Sequence, residues 1–103
     1  MLEKYIENKL RLAVQAMGCG ALCLKLECPG YTGVPDRMIL LPGGKVVFVE
    51  TKQPGKKERR RQLYVHKVLR GLGFTVFSTV DSVEKVETVI AHCRGMVNDG
   101  KTL

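Results

Sequence analysis

The chain has 103 residues, 45% hydrophobic and 26% charged, with 17 Lys and Arg against 10 Asp and Glu, a net charge of +7. That length holds one hydrophobic core and no second one, so residues 1–103 read as a single domain, and the positive excess favours a polyanionic partner, nucleic acid before an anionic membrane. No apolar run nears the ~20 residues of a membrane-crossing helix and no secretory leader opens the chain, which makes the cytoplasm the expected compartment.

In chain order, Leu2, Tyr5, Ile6, Leu10, Ala13, Val14 and Met17 recur at three- and four-residue steps, one face of an amphipathic helix that Gly18 and Gly20 end. Residues 21–26 alternate as a strand, with Leu22, Leu24 and Leu26 on one face and Cys23 and Lys25 on the other. A loop rich in Gly and Pro runs from Cys28 to Pro35. Residues 37–41 and 46–52 are two strands joined by the tight turn Pro42-Gly43-Gly44-Lys45, a β-hairpin. The unbroken Val46-Val47-Phe48-Val49 predicts a strand buried on both faces. After Gln53-Pro54-Gly55 a dense charge run, Lys56 to Arg61, leads into a helix through Leu63, Val65, Val68, Leu69 and Leu72 that stops at Gly73. Residues 74–79 form a fourth strand. Asp81 or Ser82 caps a last helix with Val83, Val86, Val89 and Ile90 as its apolar stripe. The tail 95–103 has little to bury and is expected to fray. The order α-β-β-β-α-β-α describes an α/β protein, a mixed central sheet flanked by helices.

Cys19, Cys23, Cys28 and Cys93 have neither C-x-x-C nor zinc-ribbon spacing, so they read as small hydrophobes with free thiols, with zinc at His92-Cys93 a minor alternative.

Two stretches carry chemistry. Glu50 and Lys52 lie two apart on one strand and project to the same side, with Thr51 facing the other. A carboxylate closing a Val-Val-Phe-Val run is costly to bury unless it is paired or metal-bound. Asp36 follows Pro35, which stiffens the backbone at the mouth of the neighbouring strand. If the strands are neighbours, two carboxylates and an ammonium converge, the equipment of a divalent-metal site that cuts a phosphodiester.

These residues resemble those of the VRR-NUC domain, a member of the PD-(D/E)xK nuclease superfamily with the restriction-endonuclease-like fold. The matching stretches are Ile6-Glu7, Lys25, Gly33-Val34-Pro35-Asp36-Arg37, Val49-Glu50-Thr51-Lys52, Gln62 with His66, and Gly71-Leu72-Gly73-Phe74-Thr75-Val76, in order along nearly the whole chain. The resemblance implies a Mg²⁺- or Mn²⁺-dependent endonuclease of the stand-alone phage or prophage type. It makes Asp36 and Glu50 the metal ligands with the backbone carbonyl of Thr51. Lys52 orients the attacking water or stabilises developing charge, and Gln62 positions nucleophile or substrate. Glu7, preferred to Glu3, completes the acidic cluster through water or a second ion. By analogy with dimeric junction resolvases it also implies a homodimer acting on branched DNA such as a four-way junction.

The cations Lys25, Arg37, Lys56, Lys57, Arg59, Arg60 and Arg61, with His66, are the expected nucleic-acid contacts. Cations are disfavoured at a helix N-terminus, so the run before Gln62 is better explained beside the path of an anionic substrate. Such contacts make binding to duplex DNA salt-dependent, with a log–log slope of about −0.9 per phosphate. Tyr31, in the loop, is a further candidate contact. No base-reading element stands out, so recognition of structure rather than sequence is expected. The rival reading is a catalytically idle nucleic-acid-binding module of the same fold.

Overall fold

The computed structural model describes residues 2–101, with side chains as far as Asn98. The elements are α1 (Glu3–Gln15), β1 (Leu22–Lys25), β2 (Arg37–Leu41), β3 (Lys45–Thr51), α2 (Arg60–Gly71), β4 (Thr75–Val80) and α3 (Val83–Lys101). The strands form one sheet in the order β1-β2-β3-β4. The first three are antiparallel neighbours, and β4 joins β3 in parallel after the α2 crossover. The sheet is mixed, with helices on both faces, as expected.

The hairpin closes with Leu41 opposite Lys45. Its turn needs Gly43 at φ 87° and Gly44 at φ 74°, backbone that L side chains rarely adopt. One face of the sheet builds the core. Ile39, Leu41, Val47 and Val49 pack there against Ile6, Leu10 and Val14 of α1 and Val86, Val89, Ile90 and Cys93 of α3. Cys93 is wholly buried and its thiol is pushed up to about 11, first by that burial, which is how a core hydrophobe behaves. His92 lies on the exposed side of α3, edge-on to the Phe77 ring at 5.3 Å, so the two members of the His92-Cys93 pair do not converge on a metal. Ser82, rather than Asp81, caps α3, its Oγ accepting from the Lys85 amide at 3.2 Å.

The expected fraying from Gly95 is corrected. α3 continues to Lys101 because Val97, 7% exposed, extends the apolar stripe by another turn and packs on the core with Met96. Residues 102 and 103 lie outside the described part.

The second face carries Leu24, Met38, Phe48 and Val76 in cross-strand register, and then Glu50. α2 packs over the β4 side of that face. Leu22 and Leu24 stay 53% and 39% exposed at its far side, while Cys23 is the β1 residue that turns to the core.

β4 contains an irregularity that positions the end of β3. The register slips between Val49 and Thr51, and Thr79 sits at φ 52°, left-handed backbone that is costly for a β-branched residue. Glu58 compensates: its carboxylate accepts from the Thr79 amide and from Thr79 Oγ1 at 2.6 and 2.8 Å. Burial opposes ionisation of Glu58, but the Thr79 hydroxyl and the amide donors outweigh it and hold the carboxyl below its usual range. Beyond the bulge, Val80 O accepts from the Lys52 amide at 2.9 Å, which fixes the backbone of that lysine.

Candidate active site

Glu50 and Lys52 emerge together at the end of β3, as two-residue strand alternation requires, with Lys52 Nζ 3.7 Å from Glu50 Oε2. Glu50 is 3% exposed. Gln62 comes from the first turn of α2 and its Oε1 accepts from Lys52 Nζ at 3.1 Å and from the Arg59 amide at 2.8 Å. One side-chain oxygen thus caps the helix and fixes the ammonium. His66, one turn on and wholly buried, brings Nε2 to 3.8 Å from Glu50 Oε1. Its Nδ1 is 2.7 Å from Ser78 Oγ, to which Arg70 also donates at 3.0 Å. Arg70 can only donate, so Ser78 is free to give its own proton to Nδ1, leaving the imidazole proton on the nitrogen that faces Glu50. At 3.8 Å that contact is electrostatic rather than a hydrogen bond, and both Glu50 Oε1 and His66 Nε2 are buried without a hydrogen-bond partner.

Asp36 follows the buried Pro35 and reaches across to the same strand end. Its Oδ1 accepts from the Thr51 amide at 2.7 Å and Oδ2 from Thr51 Oγ1 at 2.5 Å. Its carboxyl is raised to about 7, first by burial; the two Thr51 bonds lower it, and the charge of Glu50 and contact with Glu7 raise it again. Lys52 opens into a cleft of about 320 Å³ lined by Glu3, Gln53, Lys56, Lys57 and Arg59. A fixed ammonium lining a basic cleft, with the Glu50 carboxylate 3.7 Å behind it and Asp36 close enough to feel that charge, suits an anionic ligand that brings a cation with it.

No protein-family model matches the chain. A solved VRR_NUC domain is similar over 87% of this chain and 95% of its own, with a TM-score of 0.77 and 33% identity. The protein named "Putative nuclease p44", from Acyrthosiphon pisum secondary endosymbiont phage 1, is 40% identical over 75 residues, 73% of this chain and 74% of that protein. The chain belongs to the VRR-NUC nuclease family. Its fold is the restriction-endonuclease-like fold of that family, and its phage relative makes it a phage-type member.

Within this VRR-NUC domain several expected residues take other places. Glu7 touches Asp36 but is also paired, its Oε2 accepting from Arg37 Nη2 at 3.0 Å, and among the described residues no three His, Cys, Asp or Glu side chains are gathered around a metal position. Arg37 is engaged in that pair, its side chain 14% exposed. His66 is no surface contact either, being sealed beneath α2 where it backs Glu50. Lys25 points to solvent beside Glu27 at 3.6 Å, outside the cluster. Arg61 donates from Nε to Thr32 O at 3.0 Å and lies against two tyrosine rings, beside the loop before Asp36. Lys56, Lys57, Arg59 and Arg60 remain exposed. Sequence reasoning missed Ser78 and Arg70, which orient His66, and Glu58, hidden in a run of cations; only three-dimensional pairing reveals them.

The raised Asp36 carboxyl sets a pH dependence. With a folded value of about 7 against an ordinary 3.8, the folded state retains a proton that the unfolded chain releases. Its contribution to stability is therefore fully present below about pH 4 and is lost as pH rises through 7, up to a ceiling of about 4 kcal/mol. Asp36→Asn keeps an acceptor for Thr51 without the charge. At pH 8 without metal it is expected to melt several degrees above wild type, with the difference vanishing near pH 4. Melting curves in EDTA across that range check this, and equal midpoints at pH 8 would remove the argument.

Proposed function

We propose that this domain is an endonuclease that hydrolyses DNA phosphodiesters with Mg²⁺ or Mn²⁺, selects branched DNA such as four-way junctions, and works as a homodimer in the cytoplasm of a host cell. The observation that carries the reading is Lys52, held by Gln62 and Glu50 at the floor of a cation-lined cleft. Asp36 and Glu50 would hold the ion: their oxygens are hard donors of the kind Mg²⁺ and Mn²⁺ take, Glu50 Oε1 is buried with no partner, and Asp36 resists ionising without a compensating cation. When bound, such an ion supplies Lewis-acid activation of water and neutralises charge at phosphorus.

The chain's own residues do the rest. Thr51 fixes the Asp36 carboxylate through two hydrogen bonds. His66 holds Glu50 from behind, itself held by Ser78. Lys52 directs its ammonium where negative charge develops on the transferring phosphoryl group, a stabilisation that costs no reorganisation because Gln62 has already placed it. Lys56, Lys57 and Arg59 attract the flanking phosphates. The dimer is supported by Leu22 and Leu24, exposed apolar side chains on the open part of the second sheet face.

Cleavage of labelled four-way junction, flap and blunt duplex DNA in Mg²⁺, Mn²⁺ or EDTA tests the proposal, with gel filtration for the dimer. Expected are cutting in either metal, none in EDTA, and preference for the junction. Salt-sensitive binding with no cutting in either metal would favour the idle module instead.

A further inference from the structure

We propose that Tyr31, Arg61 and Tyr64 form a stacking site for one unpaired nucleobase at the rim of the active site, a reading that rests on a nucleic-acid substrate. The Arg61 guanidinium lies 4.8 Å from the centroid of the Tyr31 ring and 5.3 Å from that of Tyr64. Its Nε is bonded to Thr32 O at 3.0 Å, so the plane of the group is fixed rather than free to sweep. A pin for the loop would bury its rings, yet Tyr31 and Tyr64 remain 46% and 55% exposed. The three planar groups come from two elements, the loop before Asp36 and the first turns of α2, and cation–π contact holds them together.

This platform borders a cleft of about 340 Å³ lined by Thr32, Gly33, Val34, Arg59, Arg61 and Gln62. Gln62 is the residue that fixes Lys52, so the platform adjoins the chemistry through a single side chain. Aromatic faces and guanidinium planes accept any base, because every base has a π face. Bases inside an intact duplex already stack on one another and cannot reach such a surface. A base freed at a flap, gap or junction can, and Lys56, Lys57 and Arg59 beside Lys52 supply charge for its backbone. The site would thus read an unpaired nucleotide next to the phosphate to be cut, without reading its sequence.

The test is equilibrium binding in EDTA, where cutting plays no part. A labelled single-stranded oligonucleotide and a blunt duplex of equal length are compared by anisotropy for wild type, Y31L, Y64L and Y64F. Tyr64 is on the exposed side of α2, so Y64L removes no core packing, and its melting midpoint is measured beside wild type. Stacking predicts that Y64L and Y31L weaken single-strand binding about tenfold, that duplex affinity changes less than about twofold, and that Y64F retains binding because the ring and not the hydroxyl is used. The chain has three tyrosines and no tryptophan, so in a Y5F background the two platform rings alone report, and single strand should quench them where duplex does not. Equal losses on single strand and duplex, or unchanged single-strand affinity in Y64L, would overturn the stacking site and leave the nuclease reading intact. No binding of either DNA by wild type would overturn both.

Discussion

Lys52→Met is expected to lower metal-dependent cleavage by at least about 10²-fold, the usual loss when a preorganised donor to a developing anion is removed. Binding of the same DNA in EDTA should stay within about threefold, because the neighbouring cations Lys56, Lys57 and Arg59 remain to hold the backbone. The reason for so large an effect is that Lys52 is not a mobile surface lysine. Its side chain is 14% exposed, bonded to Gln62 Oε1 at 3.1 Å and set 3.7 Å from Glu50. Lys52→Arg should not rescue it, since a planar fork cannot reproduce a point charge held between those two oxygens. Single-turnover cleavage with a parallel binding titration decides the matter. Cutting within tenfold of wild type would take the ammonium out of the chemistry and leave it as the partner of a buried carboxylate.

Gly33→Ala is expected to destabilise the fold by roughly 2–5 kcal/mol, the sum of backbone strain and overpacking, which is about 10–20 °C in Tm for a domain of this size. Gly33 has φ +93°, and a Cβ there would lie 2.9 Å from both Arg61 O and Arg61 Cγ, and 3.0 Å from Val65 Cγ2. One of those neighbours is backbone of α2 and another is the side chain of a buried valine, so neither can simply swing away. The loop must lift instead, and Asp36 is three residues on. Activity should therefore fall further than stability alone explains when both are measured at 20 °C, well below the melting range. A midpoint within about 2 °C of wild type would mean that the loop and α2 tolerate separation and that the close approach has no structural weight.

Strand alternation was enough to place Glu50 and Lys52 side by side, and the hairpin followed from Pro42-Gly43-Gly44 between two apolar runs. The buried centre of the sheet was equally legible in Val46-Val47-Phe48-Val49. Four features were not. The outward turn of Leu22 and Leu24 depends on which face α1 and α3 choose, and a short edge strand with hydrophobes on one side and Cys23 on the other does not settle that choice. The partners of Arg37 and Arg61 are set by distant residues: a glutamate 30 positions away holds the first and a carbonyl 29 positions away orients the second. His66 reads as a helix-margin residue in one dimension and is sealed only because β4 brings Ser78 and Arg70 beside it. The tail 95–103 reads in one dimension as having little to bury, whereas Val97, one turn after Cys93, returns the helix to the core.

The parallel pairing of β3 with β4 has a consequence for the order in which this molecule becomes an enzyme. The β1–β2–β3 meander closes through contacts between near neighbours in sequence, whereas the β4 pairing waits on α2 and a much longer loop closure. Both hydrogen bonds that fix Lys52 lie on the late side of that divide, the Val80 carbonyl on its amide and Gln62 on its ammonium, and only its ion pair with Glu50 lies within β3. Until α2 and β4 are in place, neither of those hydrogen bonds to Lys52 can form. The placement of the Lys52 ammonium is thereby a report on the completed fold rather than on its own strand.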